Sequence, residues 1–317
     1  MCGTLPRFRS RGSALPGQSN PPRWLGIVAL LCISVVFGSN HVAARFAFEH
    51  GSNVVTAVAF RATFALFFVL ALMLANGVSF ALPGATRLRG VFIGLCLLLQ
   101  SYCVFSAVAR IPVALALLAF NTYPIVIALI AWILDGERPT LRALVAMPVA
   151  LAGLALALDV GGWSGAGATN FSGRWDEIGI GVLFATGASL SFSAALYLTT
   201  RWLKDVDGRL RTLLATGTIA VVALAGLTLT GSFAPPADST GWVALVLMGL
   251  FYSCGVTGLF VVLPRLGVVN NSAALNFEPV AVLVMGWVLL GQSMAPLQIF
   301  GALVVIGAIV ALSTGKR

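Results

Sequence analysis

Glu278 is the sharpest chemical feature of this sequence, a carboxyl near the middle of the apolar stretch 268–290 and the only acidic residue inside any such stretch. In a bilayer, an ionised carboxylate at that depth costs about 2.5–3.5 kcal/mol on insertion scales, so something must compensate it. Two uses fit: a proton-coupling or cation-recognising group lining a wet cavity, or a structural acid bonded to backbone that the adjacent Pro279 loosens. His41, one of two histidines, lies in the outer part of another apolar stretch, just after Gly38, Ser39 and Asn40. A neutral imidazole there bonds a neighbouring helix, or it forms a titrating relay with Glu278.

The prolines mark two further positions. An internal proline removes one helix hydrogen bond and pushes away the carbonyl four residues earlier, which is Phe120 for Pro124 and Leu275 for Pro279. Asn121 and Asn276 follow those carbonyls directly. Each site predicts a kink, a loose carbonyl and an amide at mid-depth, and the pair reads as hinges. Gln100, Tyr102, Tyr123, Tyr252 and Ser253 lie at similar depth, with Tyr197 nearer a membrane face. A ring with a hydroxyl suits an amphiphilic solute, although each such group serves equally as a contact between helices. The expected substrate cavity is Gln100, Tyr102, Asn121, Tyr123, Tyr252, Asn276 and Glu278, with His41 as the second proton-coupling residue. Arg61, near the outer end of 54–75, is expected to snorkel to the interface.

Other chemistries lack their residues. There is no G-x-x-x-x-G-K-[ST], G-x-S-x-G or H-E-x-x-H, so nucleotide hydrolysis, a hydrolase elbow and a zincin site have no support. No catalytic residue, metal site or cofactor is expected. Of five cysteines, all but Cys2 fall in apolar runs and none forms C-x-x-C, which suits small packing residues. A formal net charge of +9 suggests phosphate binding, but Lys and Arg sit in short segments between apolar runs. That leaves no solvated basic face for nucleic acid.

The elements that hold these residues follow from composition. Hydrophobic residues make up 59% and charged residues 9% of 317 positions, against about 25% charge in a soluble domain. Such a chain cannot cover itself in water and must face lipid. A span needs about 20 apolar residues, and runs occur at 24–46, 54–75, 90–109, 112–134, 141–158, 178–200, 212–231, 242–263, 268–290 and 297–313. The run after the basic 1–23 leader is too long for a signal-peptide core and lacks an A-x-A exit, so it reads as an uncleaved span. With the N-terminus inside, 15 of the 19 Lys and Arg fall in cytoplasmic segments, and this bias selects an N-in, C-in orientation. No feature of the sequence sets an oligomeric state.

The chain also repeats. At an offset of 155, Gly94 matches Gly249, Phe105 matches Phe260, Arg110 matches Arg265, Asn121 matches Asn276, Pro124 matches Pro279, Trp132 matches Trp287 and Gly136 matches Gly291. None of these is the abundant Ala or Leu. The expected units are a first repeat over 24–159, an outer Gly- and Ser-rich linker over 160–177, a second repeat over 178–313 and a 314–317 tail. Five spans per repeat is an odd number, so the second copy enters the bilayer from the opposite side. Inverted repeats of this kind characterise secondary transporters, with the solute site near midplane between the halves.

The motifs Phe37-Gly38-Ser39-Asn40, Ala44-Arg45, Phe60-Arg61, Tyr123-Pro124 and Leu134-Asp135-Gly136-Glu137-Arg138 resemble those of the EamA-type branch of the drug/metabolite transporter superfamily. So do Phe277-Glu278-Pro279-Val280 and Trp287 through Leu290-Gly291-Gln292. Phe37 stands where that family often has Trp, and Gln292 where it often has Glu. The resemblance spans 24–313 and implies a central cavity bounded by both halves and export of amino acids or related metabolites. The expected fold is all-α, a ten-helix inner-membrane bundle of two inverted five-helix repeats handling a small solute. Two other classes bear on the composition. A membrane-integral enzyme acting on lipid-linked substrates needs clustered acids, His or Arg at one membrane face. A membrane scaffold needs no polar groups at matching depths.

Overall fold

The computed structural model describes residues 23–77, 80–136, 141–157, 175–266, 278–291 and 295–313. They form helices throughout, with no strand among the described residues: α1 (Arg23–Glu49), α2 (Val54–Ala75), α3 (Gly84–Arg110), α4 (Val113–Phe120), α5 (Tyr123–Asp135) and α6 (Leu141–Ala157). The second half supplies α7 (Trp175–Trp202), α8 (Gly208–Thr230), α9 (Ser239–Leu266), α10 (Glu278–Leu290) and α11 (Pro296–Ser313). Long apolar runs fold this way because lipid offers no hydrogen bonds, so each backbone group must be satisfied within its own helix. Among the described residues, seven segments are long and apolar enough to cross a bilayer. They lie in α1, α2, α3, α7, α8 and α9 and in α4 with α5 taken together, while α6, α10 and α11 carry shorter apolar stretches. The outer surface is dressed in Phe67, Leu88, Leu183, Leu229 and Trp287, all exposed, as expected of a lipid-facing wall.

The element at Pro124 differs from the expected kink. The helix stops at Phe120, turns through Asn121 and Thr122, and restarts at Tyr123 with Pro124 in its first turn. There a missing N–H costs nothing. The polar groups around the break are bonded locally. Asn121 Nδ2 donates to Leu117 O at 2.7 Å and Thr122 Oγ1 to Ala119 O at 2.8 Å. Ser193 Oγ of α7 donates to Tyr123 O at 3.0 Å.

The repeat is visible in the elements themselves. α5 and α10 both run 13 residues, and their bounds are related by the same 155-residue offset. Each runs into a glycine in the left-handed region, Gly136 at φ 69° and Gly291 at φ 61°, a helix ending that other residues resist. Packing follows the same exchange of halves. α3 packs on α7 as α1 packs on α9; α3 packs on α8 as α2 packs on α9; α2 packs on α8 and α6 on α11. The repeat glycines seat two of these contacts. A Cβ on Gly94 would meet Thr218 of α8 at 2.6 Å, and one on Gly249 would meet Phe64 of α2 at 3.0 Å. Small residues of this kind let membrane helices approach closely.

Most buried side chains form one core, reaching from α1 to α4 and on through α7–α11, around Phe105, Leu115, Leu117, Leu245 and Met248. α6 and α11 pair beside it, meeting through Gly153 and Gly301. Residues 1–22, Asn276 and Gln292 lie outside the described residues, as does the 160–177 linker except its last three residues, which open α7.

Candidate functional site

The site begins with a glycine. At Gly38, α1 approaches α10 so closely that a Cβ would lie 2.8 Å from Val282 Cγ2 and 3.1 Å from Met285 Cε. A valine methyl has little freedom to move aside. One turn further along α1, this approach brings His41 Nε2 to 3.4 Å from Glu278 Oε1. Glu278 is the first described residue of α10. His41 is buried, with its ring tilted on Phe105 at 5.6 Å and its Nδ1 without a hydrogen-bond partner. The two proton-coupling candidates are thus brought together, one from each half.

Arg61 corrects the snorkelling expectation. It is 5% exposed and points into the bundle. Its guanidinium lies between two rings, with Cζ 4.1 Å from the centroid of Tyr252 and 4.8 Å from that of Phe105. Nη2 donates to Ser101 Oγ at 2.7 Å, and Ser101 Oγ in turn donates to Gln100 Oε1 at 3.3 Å. Phe37 closes the group from α1, its ring edge-on to Tyr252 at 6.3 Å. Phe37, Asn40 and His41 share one stripe of α1, being three and four residues apart. Both amide atoms of the buried Asn40 lack a partner. Five helices, α1, α2, α3, α9 and α10, therefore converge on one polar cluster inside an apolar bundle.

The remaining cavity candidates divide. Gln100 and Tyr252 join the Arg61 cluster. Tyr123 sits at the break between α4 and α5, its ring edge-on to Phe192 of α7 at 5.0 Å. It occupies the position in the first half that Glu278 occupies in the second, and it lies within electrostatic reach of that carboxyl. Asn121, by contrast, spends its amide N–H on its own helix. Tyr102 is 41% exposed, edge-on to Phe184. Asn276 lies outside the described residues, and Pro279 is the second residue of α10. An apolar groove of about 340 Å³ between α2 and α8, walled by Phe60, Phe64, Phe67, Leu224 and Phe233, shares none of these polar groups.

Two ties join the halves, one at the C-terminal end of α1 and one at the C-terminal end of α7. At the first, His50 Nδ1 lies 2.7 Å from Asp238 Oδ2, and Ala237 N donates to His50 O at 2.8 Å. Asn53 Nδ2 adds a bond to Ser232 O at 2.6 Å. The bond from the Gly241 N–H, and next the His50 side chain, hold the Asp238 carboxyl below the ordinary carboxylate range. At the second, Arg201 and Tyr197 of α7 both bond the Asp135 carboxylate at the end of α5.

Sequence reasoning missed the inward role of Arg61. The available signal was its place, the eighth residue of a 22-residue helix that holds no other charge. An ionisable residue at such depth marks a site by default.

Comparison with known proteins agrees with this architecture. The profile of the EamA-like transporter family matches twice, over residues 24–158 and 179–314. A solved crystal structure of another protein, 18% identical, superposes with a TM-score of 0.54 over 92% of this chain and 98% of its own, a likeness of fold. No curated protein matches.

Proposed function

The chain belongs to the EamA-like transporter family, and on that premise we propose that it is a secondary transporter exporting a small amphiphilic metabolite such as an amino acid. It works in the bacterial inner membrane, crossing ten times with both termini inside, its two halves inverted. The observation that carries this reading is the His41–Glu278 contact at 3.4 Å. It joins a first-half helix to a second-half helix through two groups that can share a proton. The two groups can share one proton between α1 and α10, and gaining or losing that proton changes how strongly the pair holds the helices together. Protonation thereby biases which arrangement of the halves is populated, and a ligand shifts a two-state equilibrium only through such a difference. Pro124 suits a hinge because a helix restarts there, and Pro279 stands at the matching position of the second half. Gln100, Tyr102, Asn121, Tyr123, Tyr252 and Asn276 complete the cavity set, with the rings of Tyr123 and Tyr252 offering apolar faces beside the charged groups.

The test is flux into proteoliposomes from a panel of labelled amino acids under an imposed pH gradient. Wild-type flux is expected to vary with pH, and Glu278→Gln to abolish that variation while still inserting and folding. Unchanged pH dependence in the variant removes Glu278 from the mechanism. Flux no higher than in protein-free vesicles for every compound argues against transport itself.

A further inference from the structure

Arg61 carries a fixed positive charge into the bundle, yet no carboxylate among the described residues comes within 4 Å of it. Glu278 stands instead against His41. The two ring faces around Arg61 offset part of the cost of burying a cation, and Ser101 takes one N–H. Nε keeps a proton with no acceptor. On α1, next in sequence to His41, Asn40 is 1% exposed with both its donor and its acceptor unused. A buried cation with no anion beside it and a buried amide without hydrogen bonds are costly to a structure whose only business is to pack. Guanidinium is also the side chain whose planar donor fork matches a carboxylate.

From these juxtaposed, unsatisfied groups we infer that Arg61 is the docking point for the carboxylate of the transported solute, with Asn40 bonding the same headgroup and Phe37, Tyr252 and Phe105 facing its apolar part. This rests on the transport reading and deepens it, since it requires every good solute to bear a carboxylate. The arrangement described here buries Arg61, so the solute reaches it as the halves part. Glu278 pairs with His41 in the same cluster rather than with Arg61, so the site holds a cationic group and an acidic one. A zwitterion with its ammonium toward Glu278 fits that polarity.

The experiment uses full-length protein in lipid nanodiscs and in proteoliposomes, with leucine, phenylalanine and threonine each offered as the free acid, the carboxamide and the decarboxylated amine. The acids are expected to bind and to be transported, with the amides and amines weaker by roughly tenfold or more, because each leaves the buried guanidinium without its anion. Arg61→Lys should weaken acid binding about tenfold by losing the planar fork, and Arg61→Gln should remove it. If Arg61→Gln fails to fold, analogue discrimination in wild type and in Arg61→Lys decides the matter alone. Amides or amines bound as tightly as acids overturn the inference, as does undiminished acid binding by a folded Arg61→Gln. Transport of amines without acids overturns it while leaving transport standing. No binding or flux of any compound overturns both.

Discussion

A charged side chain in lipid must find a partner or a purpose, and at the residue scale the groups here divide on that line. Asp135 has its partners in Arg201 and Tyr197, and Asp238 in His50 and the Gly241 N–H. For Asp238 the sign of the pH effect follows. Its carboxyl titrates lower in the folded protein than in the unfolded chain, so its stabilisation is complete above the unfolded value of about 3.9 and fades as pH falls through the folded one. Asp238→Ala should therefore lower the melting temperature at neutral pH, and the difference from wild type should shrink as the pH drops below about 4. A melting difference independent of pH would count against this. Glu278 was legible in the sequence because one acid in an apolar run admits few explanations. The direction of Arg61 was not. Lipid is as apolar as the bundle core, so α2 is apolar all round and its residue pattern marks no inward face.

At the scale of elements, the described parts of the apolar runs are helical, with the 112–134 run divided between α4 and α5, because helix is the form that satisfies backbone in lipid. The break between α4 and α5 was misread as a kink. Its cause lies partly in another element: Ser193 and Ser189 of α7 bond Tyr123 O and Thr122 Oγ1, partners far away in sequence. The close approaches make two predictions. Gly38→Ala places a methyl against Val282 at 2.8 Å, so α1 and α10 must separate. The expected result is a loss of pH-dependent flux larger than any loss of stability, measured by transport and thermal melting on one preparation. Gly301→Ala drives its methyl into the backbone of Ala157 and Gly153, where no side chain can move aside. Overpacking of this kind costs about 1–3 kcal/mol. Denaturant unfolding should show that loss, and wild-type stability in the variant would mean that α6 and α11 slide freely.

For the whole molecule, the shared 155-residue offset was readable because the repeated landmarks are Pro, Asn, Trp, Gly and Arg rather than the common residues. The exchange of contacts between halves was not, since no single sequence states which helix meets which. The inverted arrangement can be checked directly. In a cysteine-free background, Arg110→Cys should react with a membrane-impermeant thiol reagent from outside and Arg265→Cys only from inside; labelling of both from one side ends the inverted reading. The ties between halves can be checked too. His50→Cys with Asp238→Cys, once oxidised, should arrest flux, and reduction should restore it.

Tyr123 and Glu278 hold equivalent positions in the two bundles, one a phenol and the other a carboxylic acid. The repeat thus presents a matched pair of positions, only one of which bears a carboxyl. Under the proposed coupling, the stoichiometry is one proton per turnover, and the steepest solute gradient sustained is first order in the proton gradient. Installing an acid at the other position would re-gear the machine: Tyr123→Glu should move the reversal potential toward two protons per solute.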